Sequence, residues 1–410
     1  MELRNMNILI LCHSAQQPPY NTMLRYHNWG KELIKRGHLV TIVAASTVHN
    51  TDIDVIEEIG KDSAIVEGVR YLYIKTPAYK GNGVKRIRNM MTYCMSLSKV
   101  RPRIKRPDVI ISPGCYKYPF VRKAFGKVPL IVDTVDLWPL SIIQYANVSE
   151  KNPLIQYLYH LEKKAYIDAD ALIFSMEGGE EYLREQKYAG RIDFDKVFHI
   201  NMGCDISQKD AELRNVQFDP GWDLDKFNLV YCGSIRQANQ VQQICDAAKE
   251  LLHRGYDDIA FQIYGNGTDL EMLQEYVKEN GISNVTFYGR IDKAQIPCIL
   301  SHSEANILTY KQVPLMKYGG SQSKLFDYLA SGKPIICNGK FGYNLITRYD
   351  CGLVTEDQSS VEFANTVEEL YRMDPERRRA MGANARKCAE MYDQPQLVDR
   401  LCEVLEFVTE

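Results

Sequence analysis

The sequence is poor in tryptophan, with three in 410 residues, and has no apolar run long enough to cross a bilayer. Stretches such as 8–11 and 335–337 fall far short of the roughly 20 apolar residues a spanning helix needs. The first ten residues carry no basic segment followed by a long apolar stretch and a small-residue cleavage point, so no secretion signal is expected. No long segment is stripped of apolar residues as a disordered region would be, since hydrophobic residues make up 45% and charged residues 25%. The 11 cysteines are odd in number, form no C-x-x-C pair and lack a histidine at zinc-ligand spacing. They read as reduced, buried thiols of a cytoplasmic protein, and no metal is expected. Also missing is a G-x-G-x-x-G turn after the first strand-like run, where Cys12-His13-Ser14-Ala15-Gln16-Gln17-Pro18-Pro19 stands instead. That excludes a nicotinamide oxidoreductase built on this fingerprint.

Charge is balanced overall, 50 basic against 52 acidic residues, but unevenly placed. Residues 1–200 hold 28 basic and 21 acidic side chains, leaving 22 and 31 for the rest. Between residues 70 and 127, fifteen Lys or Arg accompany a single acid, Asp108, a local net charge of +14. Such a field attracts nucleic acid, anionic lipid or a phosphorylated substrate. From 84 to 106, basic residues including Arg86 and Arg88 alternate with Met90, Met91, Tyr93, Met95 and Leu97, and Arg101, Arg103, Lys105 and Arg106 follow. Two readings stay open: a solvated helix face over a core stripe, or a basic amphipathic segment on an anionic membrane surface. A nucleic-acid partner is not expected, because clustered aromatic platforms, a helix-turn-helix and an RNP pattern are all missing.

At this length two or three domains are expected. The run Asn7-Ile8-Leu9-Ile10-Leu11-Cys12, a loop with Pro18 and Pro19, a helical stretch through Leu33, Gly37, and the run Leu39-Val40-Thr41-Ile42-Val43 make a βαβ unit. Short apolar runs at 71–74, 109–112, 130–133 and 171–175 continue it. The alternation restarts with strands at 228–234, 260–265, 285–289, 304–308 and 333–337 and helices between them. The expectation is an α/β protein with two Rossmann-like domains facing across a cleft: 1–204, a polar linker at 205–225, then 226–385. The end, 386–410, is expected to form helices packing back on the first domain. Ligands of open α/β sheets bind outside the carboxyl ends of the strands.

Several segments there suit an anion or a hydroxyl-rich substrate. Gly233-Ser234-Ile235-Arg236 follows a strand and is expected to open a helix, offering backbone N–H groups and a guanidinium. The alternative is a tight turn with a surface arginine. Gly265-Asn266-Gly267 is a second glycine-rich turn, weak evidence by itself. In Ser321-Gln322-Ser323-Lys324-Leu325-Phe326-Asp327-Tyr328-Leu329-Ala330-Ser331-Gly332, either serine can cap a helix that stops at Gly332. Lys324 and Asp327 are then neighbours and could simply pair with each other. In Asp133-Thr134-Val135-Asp136-Leu137-Trp138-Pro139, Asp136 could accept from a substrate hydroxyl with Trp138 as an apolar wall, or cap a loop. His13 and His27 read more readily as structural than as catalytic, and so does Asp168-Ala169-Asp170.

Taken together these segments resemble glycosyltransferase family 4, the group 1 glycosyltransferases of GT-B fold. They are the Arg36-Gly37-His38 ending, Asp136-Leu137-Trp138-Pro139, Asn201-Met202-Gly203-Cys204-Asp205, Tyr231-Cys232-Gly233-Ser234, Tyr264-Gly265-Asn266-Gly267 and Ser323 through Pro334. The Asp-Leu-Trp-Pro segment is similar to the bacterial branch that builds surface polysaccharides. The resemblance implies a retaining transferase that moves a sugar from a nucleoside diphosphate, with UDP favoured, to a lipid-linked (polyprenyl diphosphate) or growing glycan acceptor. It needs no cofactor and works at the inner face of the cell membrane. Arg236 and Lys324 would meet the diphosphate with Gly233, Ser234, Gly265, Gly267, Ser323 and Leu325 around it. Asp327 would meet the ribose, Arg290 the base, and Asp136 the transferred sugar. Arg86, Arg88, Arg101, Arg103, Lys105 and Arg106 would face the acceptor or the membrane. The chain departs from the pattern at Gly319, where the first acid of E-x7-E would stand, at Gln237 or Asn239 in place of a second basic residue, and in lacking a histidine near Thr134. Rival readings are a non-hydrolysing sugar-nucleotide epimerase and a binding protein without turnover.

Overall fold

The computed structural model describes residues 5–21, 23–81, 83–216 and 219–410. The start of the chain and residues 217 and 218 of the expected linker therefore lie outside the described residues. The chain divides into two compact units, one holding the described residues through Asn201 together with Gln394–Glu410, the other Met202–Asp393.

The first unit is built on eight strands: β1 Asn7–Leu11, β2 Leu39–Ala45, β3 Ser63–Val66, β4 Val69–Ile74, β5 Val109–Pro113, β6 Leu130–Thr134, β7 Ala171–Phe174 and β8 Val197–His199. They lie in the order β3-β4-β2-β1-β5-β6-β7-β8. All pairs are parallel except the β3–β4 hairpin, whose two-residue loop places Glu67 and Gly68 at φ 48° and 82°, the left-handed pair that suits strand twist. β1, β5 and β6 are buried along nearly their whole length, which is why they read as continuous apolar runs. Helix Arg25–Lys35 stops where Gly37 takes φ 89°. The sheet order reverses between β1 and β5.

The second unit has six parallel strands: β9 Phe227–Cys232, β10 Ile259–Tyr264, β11 Val285–Gly289, β12 Ala305–Leu308, β13 Ile335–Cys337 and β14 Gly352–Val354. Their order, β11-β10-β9-β12-β13-β14, is that of the doubly wound nucleotide-binding fold, with its switch point between β9 and β12. Its core gathers Leu229, Tyr231, Ile244, Leu251, Phe261, Ile307, Phe363 and Val367, all fully buried. At roughly 1.5–3 kcal/mol for each large side chain, this burial is what holds the helices on the sheet.

The units differ from the expected boundaries at two places. Within 205–225, Asp205 caps helix Ile206–Asn215 by accepting from the Gln208 N–H, so residues 205–215 are a structured part of the second unit and not bare linker. Of the end of the chain, helix Pro375–Met391 also belongs to the second unit. Only Gln394–Thr409 returns to the first, where Asp399 accepts from the Arg36 guanidinium at 2.5 and 3.1 Å.

Candidate functional site

In the second unit the switch point is framed by the loop after β9 and by helix Ser323–Ala330, which follows β12. The helix forms because Leu325, Phe326, Tyr328 and Leu329 make one buried face, and it stops at Gly332 with φ 68°. Tyr328 pins it to the sheet: its hydroxyl accepts from the Cys232 N–H at 2.9 Å and donates to the Cys232 carbonyl at 3.1 Å. This fixes Lys324, on the first turn, at the carboxyl end of β9. Its Nζ donates to Tyr231 Oη at 3.2 Å and Asn239 Oδ1 at 3.1 Å, and lies 4.8 Å from the Tyr231 ring centroid. Among the described residues no carboxylate lies within ion-pair distance of it. Burial pushes the ammonium down from its ordinary value to about 8. It is a half-buried cation with no carboxylate beside it among the described residues.

Asn239 closes the ring around this ammonium by donating to the Ser234 carbonyl and Oγ at 2.8 and 2.7 Å, while Tyr231 Oη donates to the same carbonyl. Gly233 leaves the approach open: a Cβ there would stand 3.0 Å from Tyr231 Oη and 3.4 Å from Lys324 Nζ. Arg236 is exposed three residues further on, with no ion pair among the described residues. The four-residue turn does not open the helix directly, as had been expected. A 3-10 turn, Gln237–Asn239, intervenes and the helix begins at Val241. The Gly233 N–H is spent on the Tyr264 carbonyl at 3.0 Å, so it offers nothing to a ligand.

Gly265 and Gly267 have a packing role. Cβ atoms there would stand 1.7 Å from the Gly233 oxygen and 2.0 Å from the Ile235 oxygen, so only glycine lets the two loops lie back to back. Neither serine caps helix Ser323–Ala330: the cap position is Gln322, without a side-chain bond. Leu325 is buried, and its N–H is taken by the Gln322 carbonyl. Ser323 is exposed at the first helical position. Asp327 does not pair with Lys324. Its Oδ1 accepts from Lys209, on helix Ile206–Asn215, at 2.9 Å. Arg290 stands exposed at the end of β11, beyond Tyr288, whose ring is stacked on Tyr264 at 4.6 Å. β10 separates that strand from β9.

In the first unit, His13, Lys117 and Asp136 follow β1, β5 and β6 at the carboxyl edge of the sheet. Asp133, the partner acid of the motif, is structural: fully buried, it accepts from Arg25 at 3.0 and 3.2 Å and from Tyr26 at 2.8 Å. Asp136 is exposed in the loop, its carbonyl held by the Trp138 N–H, and Arg86 lies 5.9 Å from the Trp138 ring centroid. His13 is bonded to Asn89, and burial lowers its pKa to about 4, so it is neutral. His27 is held by Tyr71 at 2.8 Å and Glu67 at 2.6 Å. Lys117, not singled out in the sequence, is buried with its Nζ on the Pro113 carbonyl and 4.5 Å from the Tyr116 ring.

The basic stretch separates into two parts. Helix Val84–Val100 turns Tyr93, Cys94, Leu97 and Val100 inward. Its outer side carries a second apolar line, Val84, Ile87, Met91 and Met95, which are 81%, 46%, 40% and 63% exposed. Lys85, Arg88 and Lys99 are exposed on the same helix. The later run lies off this helix, on a 3-10 turn and the entry to β5. There Arg103, Lys105 and Arg106 are exposed and Arg101 is partly buried, but Arg103 is claimed by both oxygens of Asp62 at 2.7 and 2.8 Å. Among the described residues no helix is long and apolar enough to cross a membrane, and no cluster of three or more His, Cys, Asp or Glu is placed to hold a metal ion.

Two α/β units with these strand orders have the architecture of the GT-B fold. Residues 214–388 match the family described as glycosyl transferases group 1, and residues 24–194 match the glycosyl transferase 4-like domain. Together the two glycosyltransferase matches span most of the chain, which is a glycosyltransferase, an enzyme. Solved structures agree on the fold over nearly the whole chain. Anabaena HepE in complex with UDP and glucose is 16% identical with a TM-score of 0.69, covering 98% of this chain and 100% of its own. Sucrose-phosphate synthase from Thermosynechococcus elongatus is 14% identical with a TM-score of 0.75, covering 98% of each chain. WaaG, a glycosyltransferase involved in lipopolysaccharide biosynthesis, is 13% identical with a TM-score of 0.69, covering 97% of this chain and 99% of its own. No curated protein sequence matches the chain at a significant level.

Proposed function

We propose that the second unit binds a UDP-sugar and that the enzyme transfers the sugar, with retention, to a lipid-linked or growing glycan of a surface polysaccharide. The observation that carries the donor assignment is Lys324, a half-buried cation without a carboxylate partner among the described residues, reached past a residue that has no side chain. A diphosphate supplies the missing charge, and the exposed Arg236 adds a planar fork for its oxygens. Both cations stabilise the negative charge that grows on the leaving diphosphate. Asp327 accepts from the ribose and Arg290 lies toward the base, while Ser234 and Ser323 border the phosphates. UDP is the favoured nucleotide, as in the HepE complexes, which were solved with UDP, glucose or UDP-glucose. With no nucleophile assigned, departure and attack take place on one face of the sugar through an ion-pair-like state.

The first unit takes the acceptor, with Asp136 and Trp138 near the transferred sugar. The outward line from Val84 to Met95 with Lys85, Arg86, Arg88 and Lys99 supports a peripheral seat on the anionic inner face of the cell membrane. Lys105 and Arg106 add charge there, whereas the Arg103 charge is spent on Asp62. Calorimetry with UDP tests the donor site: Arg236→Ala is expected to weaken binding at least about tenfold, the loss of one charge-assisted contact. Unchanged affinity removes Arg236 from the site.

A further inference from the structure

Lys209 lies in the polar stretch between the units' strand systems, and its helix turns it onto Asp327. The two side chains are 12% and 20% exposed and meet at 2.9 Å. On its other side Lys209 stands 4.0 Å from Glu212 Oε2, a buried oxygen with no hydrogen-bond partner. The Glu212 Oε1 atom is already held by Gln208 at 2.7 Å. Lys209, Asp327, Leu213, Ile296, Pro297 and Arg386 line one cavity of about 280 Å³ in the second unit, so this ion pair borders open space and is not sealed in the core. Arg386 brings no free charge to that wall, because Asp210 takes both of its terminal nitrogens at 2.8 Å.

The consequence for Asp327 is geometric. A carboxylate one methylene shorter than glutamate has less reach and, only partly enclosed on its helix turn, more than one rotamer open to it. Lys209 holds Oδ1, which fixes the rotamer and leaves Oδ2, unbonded among the described residues, as the acceptor at the cavity wall. We infer that Lys209 is a positioning residue: it aims the Asp327 carboxylate at the ribose hydroxyls and so sets the preference for ribonucleotide over deoxyribonucleotide donors. This rests on the reading of Asp327 as the ribose acceptor.

The test is the ratio of dissociation constants for 2′-deoxy-UDP and UDP, measured by calorimetry on the full chain. A hydrogen bond from a hydroxyl to a charged acceptor separates the two by about tenfold or more in the native protein. Lys209→Met is expected to bring the ratio close to one, as is Asp327→Ala, which removes the acceptor, and Lys209→Arg is expected to keep it. A merely structural role for Lys209 would weaken both ligands equally and leave the ratio unchanged. If Lys209→Met keeps the ratio while Asp327→Ala abolishes it, the role of Lys209 is refuted. If Asp327→Ala keeps the ratio, the ribose reading of Asp327 itself fails. Should Lys209→Met not fold, Lys209→Gln, which keeps a donor and loses the charge, is read by the same ratio.

Discussion

On the proposed assignment Lys324 meets the diphosphate only while it carries its proton, and that makes donor affinity depend on pH in a way its surroundings set. Burial lowers its pKa to about 8. Binding of the anion favours the charged form, so affinity is full below pH 8 and falls as pH rises through that value. With a pKa of about 8 in the free protein, some nine-tenths of the molecules are protonated at pH 7 and about one-tenth at pH 9. The dissociation constant for UDP should therefore rise about tenfold between those two pH values, equivalent to about 1.4 kcal/mol. Arginine stays charged throughout, so Lys324→Arg should flatten the profile even if its absolute affinity is lower. Lys324→Met should lose at least about tenfold at pH 7 and also show no dependence. Calorimetric titration of UDP from pH 6.5 to 9.5 at constant ionic strength reads all three. A flat profile in the native protein, or the same slope in Lys324→Arg, would refute the claim that this ammonium meets the phosphates.

Three further outcomes follow from the geometry. Gly265→Ala should destabilise the second unit by about 3 kcal/mol or more, because its Cβ would collide with the Gly233 carbonyl at a φ of 141°; an unchanged denaturant midpoint would contradict this. Arg25→Met leaves the buried Asp133 carboxylate without its partner and should cost about 3–5 kcal/mol, with Arg25→Met/Asp133→Leu recovering part of it in the same denaturation experiment. Met91→Asp with Met95→Asp should reduce sedimentation with vesicles containing anionic lipid, whereas Arg103→Ala, whose charge is already paired with Asp62, should change it little.

The strand cores were readable because each is a short, β-branched run buried on both faces. The edges were not. β3, β8 and β14 are three or four residues long and only partly buried, too short for a period to register. Helix Ile206–Asn215 was missed for composition, since it is polar on most faces. Its start was nonetheless marked, because Asp205-Ile206-Ser207-Gln208 has the spacing of a capping box. At the proposed donor site, the glycines and the two cations could be picked out as a strand-to-helix pattern. The groups that give Lys324 its character could not, because Tyr231 and Asn239 lie 93 and 85 positions away and meet it only through the sheet order. The same holds for Lys209 on Asp327. Spacing along the helix suggested an Asp327–Lys324 pair, and tertiary placement chose another partner.

The central claim is transfer from a UDP-sugar, and it is tested most directly by following the products. The purified chain is incubated with UDP-, GDP-, ADP- and CDP-sugars, with and without a polyprenyl-diphosphate-linked glycan in anionic vesicles, and the nucleotide released is resolved by chromatography. Release of UDP from one UDP-sugar, dependent on the glycan and lost in Arg236→Ala, is the predicted result. Conversion of the UDP-sugar to its epimer without UDP release, or glycan-dependent turnover of another nucleotide's sugar in its place, would contradict it.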